Sequence, residues 1–124
     1  SGFVAPDPES TRFALVLFAR AMPDFDAGLA LCVSALRPPA TDQAPTAAKA
    51  ACHYPQAGLG LLDARKRGFD DALIMDPDGA VAETMMRNAF FVRDGVVHTP
   101  AANGTYLAGI TRSRVYRDFA AAGD

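Results

Sequence analysis

Two continuous apolar runs of strand length stand near the start of the chain, at residues 13–19 and 29–35. Neither alternates with polar positions, so both are expected to be strands with both faces covered. The connector at residues 22–27 holds Pro23 and two aspartates and separates them. Residues 1–10 are polar and contain proline, and read as an extended lead-in.

Residues 37–47 carry Pro38, Pro39 and Pro45 and are expected to form an ordered loop, since proline lacks the N–H a helix interior needs. A helix is expected over 55–67. Pro55 suits its first turn, Leu59, Leu62 and Ala64 offer an apolar face, Arg65 to Arg67 suit its last turn, and Gly68 closes it. Short strands follow. Residues 72–75 run into the turn Asp76-Pro-Asp-Gly79, and residues 80–84 return from it. Residues 89–92 lead to Arg93-Asp-Gly95 and back through 96–98, the pattern of a hairpin. After a loop at 100–108, a last helix is expected from near Thr111 to Gly123. There is no internal repeat and no low-complexity segment. The whole reads as one α+β unit with a mixed sheet.

Composition narrows the functions. A chain of 124 residues with a formal charge of -2 offers no basic surface for nucleic acid or for an anionic membrane. The apolar runs are too short to cross a bilayer, and no secretory signal is visible. Cys32 and Cys52 form no CxxC pair and have no ligand spacing with His53 or His98, so no metal is expected. They read as reduced thiols of a cytoplasmic protein. The chain starts at Ser1 without methionine and stops at Asp124, just after an expected helix. It is therefore expected to be part of a longer protein.

Three segments could carry chemistry. Lys49, one of two lysines, sits among small residues in Thr46-Ala-Ala-Lys-Ala-Ala51. An amine held in apolar surroundings loses its proton more readily, and the neutral form makes a Schiff base. Glu83, one of two glutamates, lies in an apolar strand and calls for a positive partner. That partner is either an arginine such as Arg87 or Arg93, or a cationic ligand. Gly109-Ile-Thr-Arg112 opens the last helix with Thr111 as its expected N-cap, and free N–H groups at a helix start bind phosphate. Taken singly, each has a simpler explanation: a solvated lysine, a strand ion pair, a capped helix.

The series changes that balance. In order stand Lys49-Ala-Ala-Cys-His-Tyr-Pro55, Ala64-Arg-Lys-Arg-Gly68, Asp76-Pro-Asp-Gly-Ala-Val-Ala-Glu83, Asn88-Ala-Phe90, Asp94-Gly95, Thr99-Pro100 and Gly109-Ile-Thr-Arg112. This order and spacing resembles the fold-type IV (class IV) pyridoxal-phosphate aminotransferases, in particular the branched-chain type, over residues 45–117. The resemblance implies that residues 1–124 are part of the C-terminal large domain, a mixed β pseudo-barrel with flanking helices. The N-terminal small domain and the end of the large domain would lie outside the chain.

It also implies roles. Lys49 would hold pyridoxal 5′-phosphate as a Schiff base and later move a proton between the substrate Cα and the cofactor C4′. Tyr54 would bond the phenolate oxygen, and Glu83 would face the pyridine nitrogen. Leu107 would pack near the ring. Ile110 and Thr111 would hold the phosphate. An upstream arginine and a downstream threonine or serine of the family would fall outside the chain, so the 124 residues alone are expected to lack activity. The intact protein would be a homodimer acting on an amino acid and a 2-oxo acid.

Two stretches depart from the family pattern. Thr84, Met85, Met86 and Arg87 stand where small residues are usual, and His53 stands where Asn or an apolar residue is common. D-amino-acid aminotransferase and aminodeoxychorismate lyase share the scaffold and stay open. The intact Gly-Ile-Thr-Arg112 and the presence of Tyr54 favour transamination of branched-chain L-amino acids with 2-oxoglutarate. A binding or structural fragment free of cofactor is the alternative of another class.

Overall fold

The computed structural model describes residues 5, 7–19, 21, 24 and 26–123. Its elements are β1 (Leu31–Val33), a 3-10 turn (Ala51–His53), α1 (Tyr54–Lys66), β2 (Asp71–Met75), β3 (Val81–Thr84), β4 (Phe91–Arg93), β5 (Val96–His98) and α2 (Ile110–Ala122). β1 pairs parallel with β2, and β2 pairs antiparallel with β3, giving a mixed sheet in the order β1-β2-β3. β4 and β5 form a separate hairpin. The fold is α+β.

Local chemistry explains most of these elements. Pro55 starts α1, where a missing N–H costs nothing. At the other end Gly68 turns left-handed with φ 84°. Phe69 N–H bonds Ala64 O and Gly68 N–H bonds Arg65 O, which is the Schellman ending. The β4–β5 turn places Asp94 at φ 53° and Gly95 at φ 78°. Positive φ at both central residues is the twist that suits a two-residue hairpin.

α1 crosses between the parallel strands and packs on β2. The core beneath it is Cys32, Ala64, Ala72, Ile74 and Met85, with Leu36, Ala57 and Phe69 against it. Ala57, Gly60 and Ala64 form the packed face of α1, whereas Leu59 and Leu62 stay exposed. The small residues win that face because the helix lies close to the sheet. Met85 fills the notch at Gly60, where a Cβ would stand 1.9 Å from its Cε.

The apolar runs differ from the sequence reading. Residues 13–19 form no strand, and Phe13, Leu15 and Leu17 are more than four-fifths exposed. A strand needs a neighbour for its ladder, and among the described residues none lies alongside this run. The second run shrinks to β1, with Cys32 buried and Leu31 and Val33 open on the other face. Residues 1–4 of the lead-in and Pro23 of the connector lie outside the described residues. No helix is long and apolar enough to cross a membrane.

Asp71, at the start of β2, is 1% exposed. Its carboxylate accepts from Ala72 N–H at 2.8 Å, Thr84 Oγ1 at 2.9 Å and Arg87 Nη1 at 3.0 Å. Replacing it strands two of these donors in the interior. Asp71→Ala is expected to cost about 2–4 kcal/mol in equilibrium urea unfolding. A loss below about 0.5 kcal/mol would show that the cluster contributes little.

Candidate functional site

Lys49 follows the turns of the proline-rich loop and stands just before Ala50, the N-cap of the 3-10 turn. Ala48 N–H bonds Pro45 O and Ala50 N–H bonds Ala48 O, which shapes the backbone on either side of it. The His53 ring nitrogen Nε2 lies 3.2 Å from Pro45 O and ties the turn back onto the loop. The side chain of Lys49 is exposed, with small alanines beside it. Tyr54, half exposed, opens α1 one residue beyond His53.

Glu83 stands on β3, opposite Ile74 of β2. The side chain is half-buried. Burial pushes its carboxyl up to about 7 from an ordinary 4.5, because the ionised form loses water. The Leu107 backbone amide, then the charges of Lys49 and His53, pull it partway back. Neither arginine suggested by the sequence neutralises it. Arg87 pairs with Asp71, and Arg93 lies by Asp94 at the hairpin turn. Asn88 meets the carboxylate instead, donating from Nδ2 to Glu83 Oε2 at 3.2 Å.

α2 starts two residues earlier than expected. Gly109 is the N-cap residue with φ -62° and ψ 141°, and Thr111 lies inside the first turn. A glycine fits there because Asn88 Oδ1 leaves no room for a Cβ, which would stand 2.2 Å away. The first intrahelical bond is Ser113 N–H to Gly109 O at 2.9 Å, so the N–H groups of Ile110 and Thr111 are free of helical partners.

Arg112 does not join them as a ligand group. Its Nε donates to Thr99 Oγ1 at 3.1 Å and its Nη2 to Pro100 O at 2.7 Å. The guanidinium also lies over the Tyr106 ring. It braces the loop before α2.

Two adjoining lobes open between these elements, of about 150 and about 500 Å³. Lys49, Glu83, Met86 and Leu107 line both. Tyr54 and His53 border the smaller lobe, while Ile110 and Thr111 border the larger. All six residues singled out in the sequence therefore stand around one divided cleft. The sequence reading gave no role to Asn88, although it stands in the quoted Asn88-Ala-Phe90 motif. Its contact with Glu83 depends on how the 84–87 turn folds back. Among the described residues no cluster of His, Cys, Asp or Glu is arranged to hold a metal. Cys32 and Cys52 are free thiols, buried and exposed respectively.

A family model described as "Amino-transferase class IV" matches residues 1–123. A probable branched-chain-amino-acid aminotransferase of Rickettsia bellii is 38% identical over 110 residues, covering 88% of this chain and 38% of the relative. The branched-chain-amino-acid aminotransferase of Escherichia coli K12 is 34% identical over 90 residues, covering 73% of this chain and 29% of the relative. Among solved structures, an aminotransferase from Brucella abortus bound to the cofactor PLP is 45% identical with a TM-score of 0.74. That match covers 77% of this chain and 34% of the other. The chain spans about a third of the length of the relatives it matches.

A raised carboxyl pKa has a defined effect on stability. Between 4.5 and about 7 the folded form holds a proton that the unfolded form has lost. The stabilisation from neutral Glu83 is thus complete below 4.5 and is lost as pH rises through about 7. Glu83→Gln should remove this component. The measurement is the difference in unfolding free energy between the ligand-free chain and the variant, from pH 4 to 8. A difference that stays flat across that window would show that Glu83 is not held in a desolvating site.

Proposed function

We propose that this chain, which belongs to the class IV amino-transferase family, forms part of the cofactor-binding large domain of a pyridoxal-phosphate-dependent aminotransferase. The substrates would be branched-chain L-amino acids and 2-oxoglutarate. The carrying observation is that the Lys49 amine and the half-buried Glu83 carboxylate border the same two lobes, with free helix N–H groups along one of them.

The donor set fits the cofactor part by part. An amine suits its aldehyde carbon, a carboxylate its cationic ring nitrogen, a phenol its phenolate oxygen, and free backbone N–H groups its phosphate. Leu107 and Met86 offer apolar surface for the ring. When bound, pyridoxal 5′-phosphate supplies an electron-withdrawing ring that takes up the electron pair left by loss of the substrate Cα proton.

Lys49 would hold the cofactor through its amine, and that amine would move the proton at the substrate Cα. Glu83 keeps a proton on the ring nitrogen. A cation facing Glu83 restores its charged form, which burial alone disfavours. Tyr54 donates to the phenolate oxygen. The Ile110 and Thr111 N–H groups and the Thr111 hydroxyl bind the phosphate at the start of α2.

The substrate choice is supported by the relatives named for branched-chain amino acids and by a Thermoproteus uzoniensis branched-chain aminotransferase solved with norvaline. We infer in addition that the protein works as a cytoplasmic homodimer. Its free thiols suit a reducing compartment.

In the protein that carries this chain, borohydride reduction should fix the cofactor to Lys49, and Lys49→Ala should abolish the label. Glu83→Ala should cut turnover by roughly 10²-fold or more while most of the cofactor stays bound, because charge stabilisation grows as the reaction proceeds. Label on another residue, or equal losses of cofactor and rate in Glu83→Ala, would sink these assignments. A panel of L- and D-amino donors decides the substrate class.

A further inference from the structure

We propose that Asn88 is a positioning residue that fixes the Glu83 carboxylate toward the shared wall of the two lobes and locks it to the start of α2. The inference rests on the reading of Glu83 given above. Asn88 Nδ2 donates to Leu107 O at 2.9 Å and to Glu83 Oε2 at 3.2 Å. A backbone carbonyl only accepts, so the Leu107 contact alone determines that the nitrogen, not the oxygen, faces this side. The amide oxygen is pressed against Gly109, where any Cβ would displace it. One planar group thus touches β3, the loop before α2, and the N-cap of α2.

The backbone presents Asn88 at this point for a stated reason. Thr84 N–H bonds Arg87 O at 2.7 Å, and Arg87 N–H bonds Thr84 Oγ1 at 2.9 Å. The Arg87 guanidinium is anchored on buried Asp71. The chain therefore turns back after β3 and returns residue 88 beside residue 83.

The choice of a neutral donor matters most. An arginine at this place would orient Glu83 and also neutralise it. An amide orients the carboxylate and leaves its charge available to a cation in the cleft. Among the described residues, the side chain bonded to Glu83 is Asn88, while Arg87 and Arg93 are engaged by Asp71 and Asp94.

A double-mutant cycle on the holoenzyme tests the idea. Asn88→Ala should lower kcat roughly tenfold, the worth of one hydrogen bond of about 1.4 kcal/mol, with KM and bound cofactor little changed. In the Glu83→Gln background the same change should add almost nothing. Should Asn88→Ala fail to fold, Asn88→Ser is read in the same cycle. If Glu83→Gln alone leaves kcat intact, the reading of Glu83 fails. If Glu83→Gln is impaired but the Asn88 change is silent, or multiplies the defect in full, the positioning role is overturned. Loss of cofactor content with unchanged kcat per bound cofactor also overturns it.

A second readout needs no cofactor. In the cofactor-free form of the whole protein, labelled with carboxyl-enriched glutamate, the Glu83 titration is identified as the one missing from Glu83→Gln. Asn88→Asp places a like charge against Glu83 and should move its midpoint up by about one unit. An unmoved midpoint in the folded variant means that Asn88 does not face the carboxylate in solution.

Discussion

Asp71 is buried at the edge between sheet and turn, and a carboxyl group there needs hydrogen-bond partners to offset the water it loses. It finds them in Ala72 N–H, Thr84 Oγ1 and Arg87 Nη1. The last two of these bonds join the start of β2 to the end of β3 and to the turn beyond. Glu83 precedes Thr84, and successive strand residues face opposite ways. With Thr84 drawn inward toward Asp71, Glu83 is directed to the other face, where the cleft lies. The position of the cleft carboxylate thus follows from the satisfaction of a different one.

The two acids are treated in opposite ways, and the contrast is informative. Asp71 is surrounded by donors and paired with a guanidinium. Glu83 meets the Asn88 side-chain amide and the Leu107 backbone amide, and the charges of Lys49 and His53 offset only part of the burial that raises its proton affinity. A protein that needed only stability would have completed both sets. A carboxylate left short of positive charge stores a preference for a cation, and such incomplete sites gather where ligands bind.

Local signals were legible, and long-range ones were not. Pro55, Arg65, Lys66 and Gly68 mark both ends of α1 because helix capping depends on nearest neighbours. Asp94-Gly95 marks the hairpin for the same reason. The run at 13–19 was apolar enough for a strand, yet strand formation needs a partner that composition does not supply. Leu59 and Leu62 looked like the packed face of α1, but the separation of helix and sheet favoured Ala57, Gly60 and Ala64. Thr111 was a better cap than Gly109 by residue type, and the crowding from Asn88 outweighed that preference. The cleft residues were named by their order along the chain. The bond between Glu83 and Asn88 required the turn that Asp71 secures.

Arg112, the basic residue of the first turn of α2, is committed to Thr99, Pro100 and the Tyr106 ring. The open donors at that helix start are therefore peptide N–H groups. Side-chain replacement does not remove a peptide group, so drift at Ile110 or Thr111 leaves the donors Ile110 N–H and Thr111 N–H standing. Proline is the exception, because it deletes the N–H itself. Peptide donors of this kind survive side-chain changes in their own residues and depend mainly on Gly109, whose missing side chain leaves room for Asn88 at the helix start.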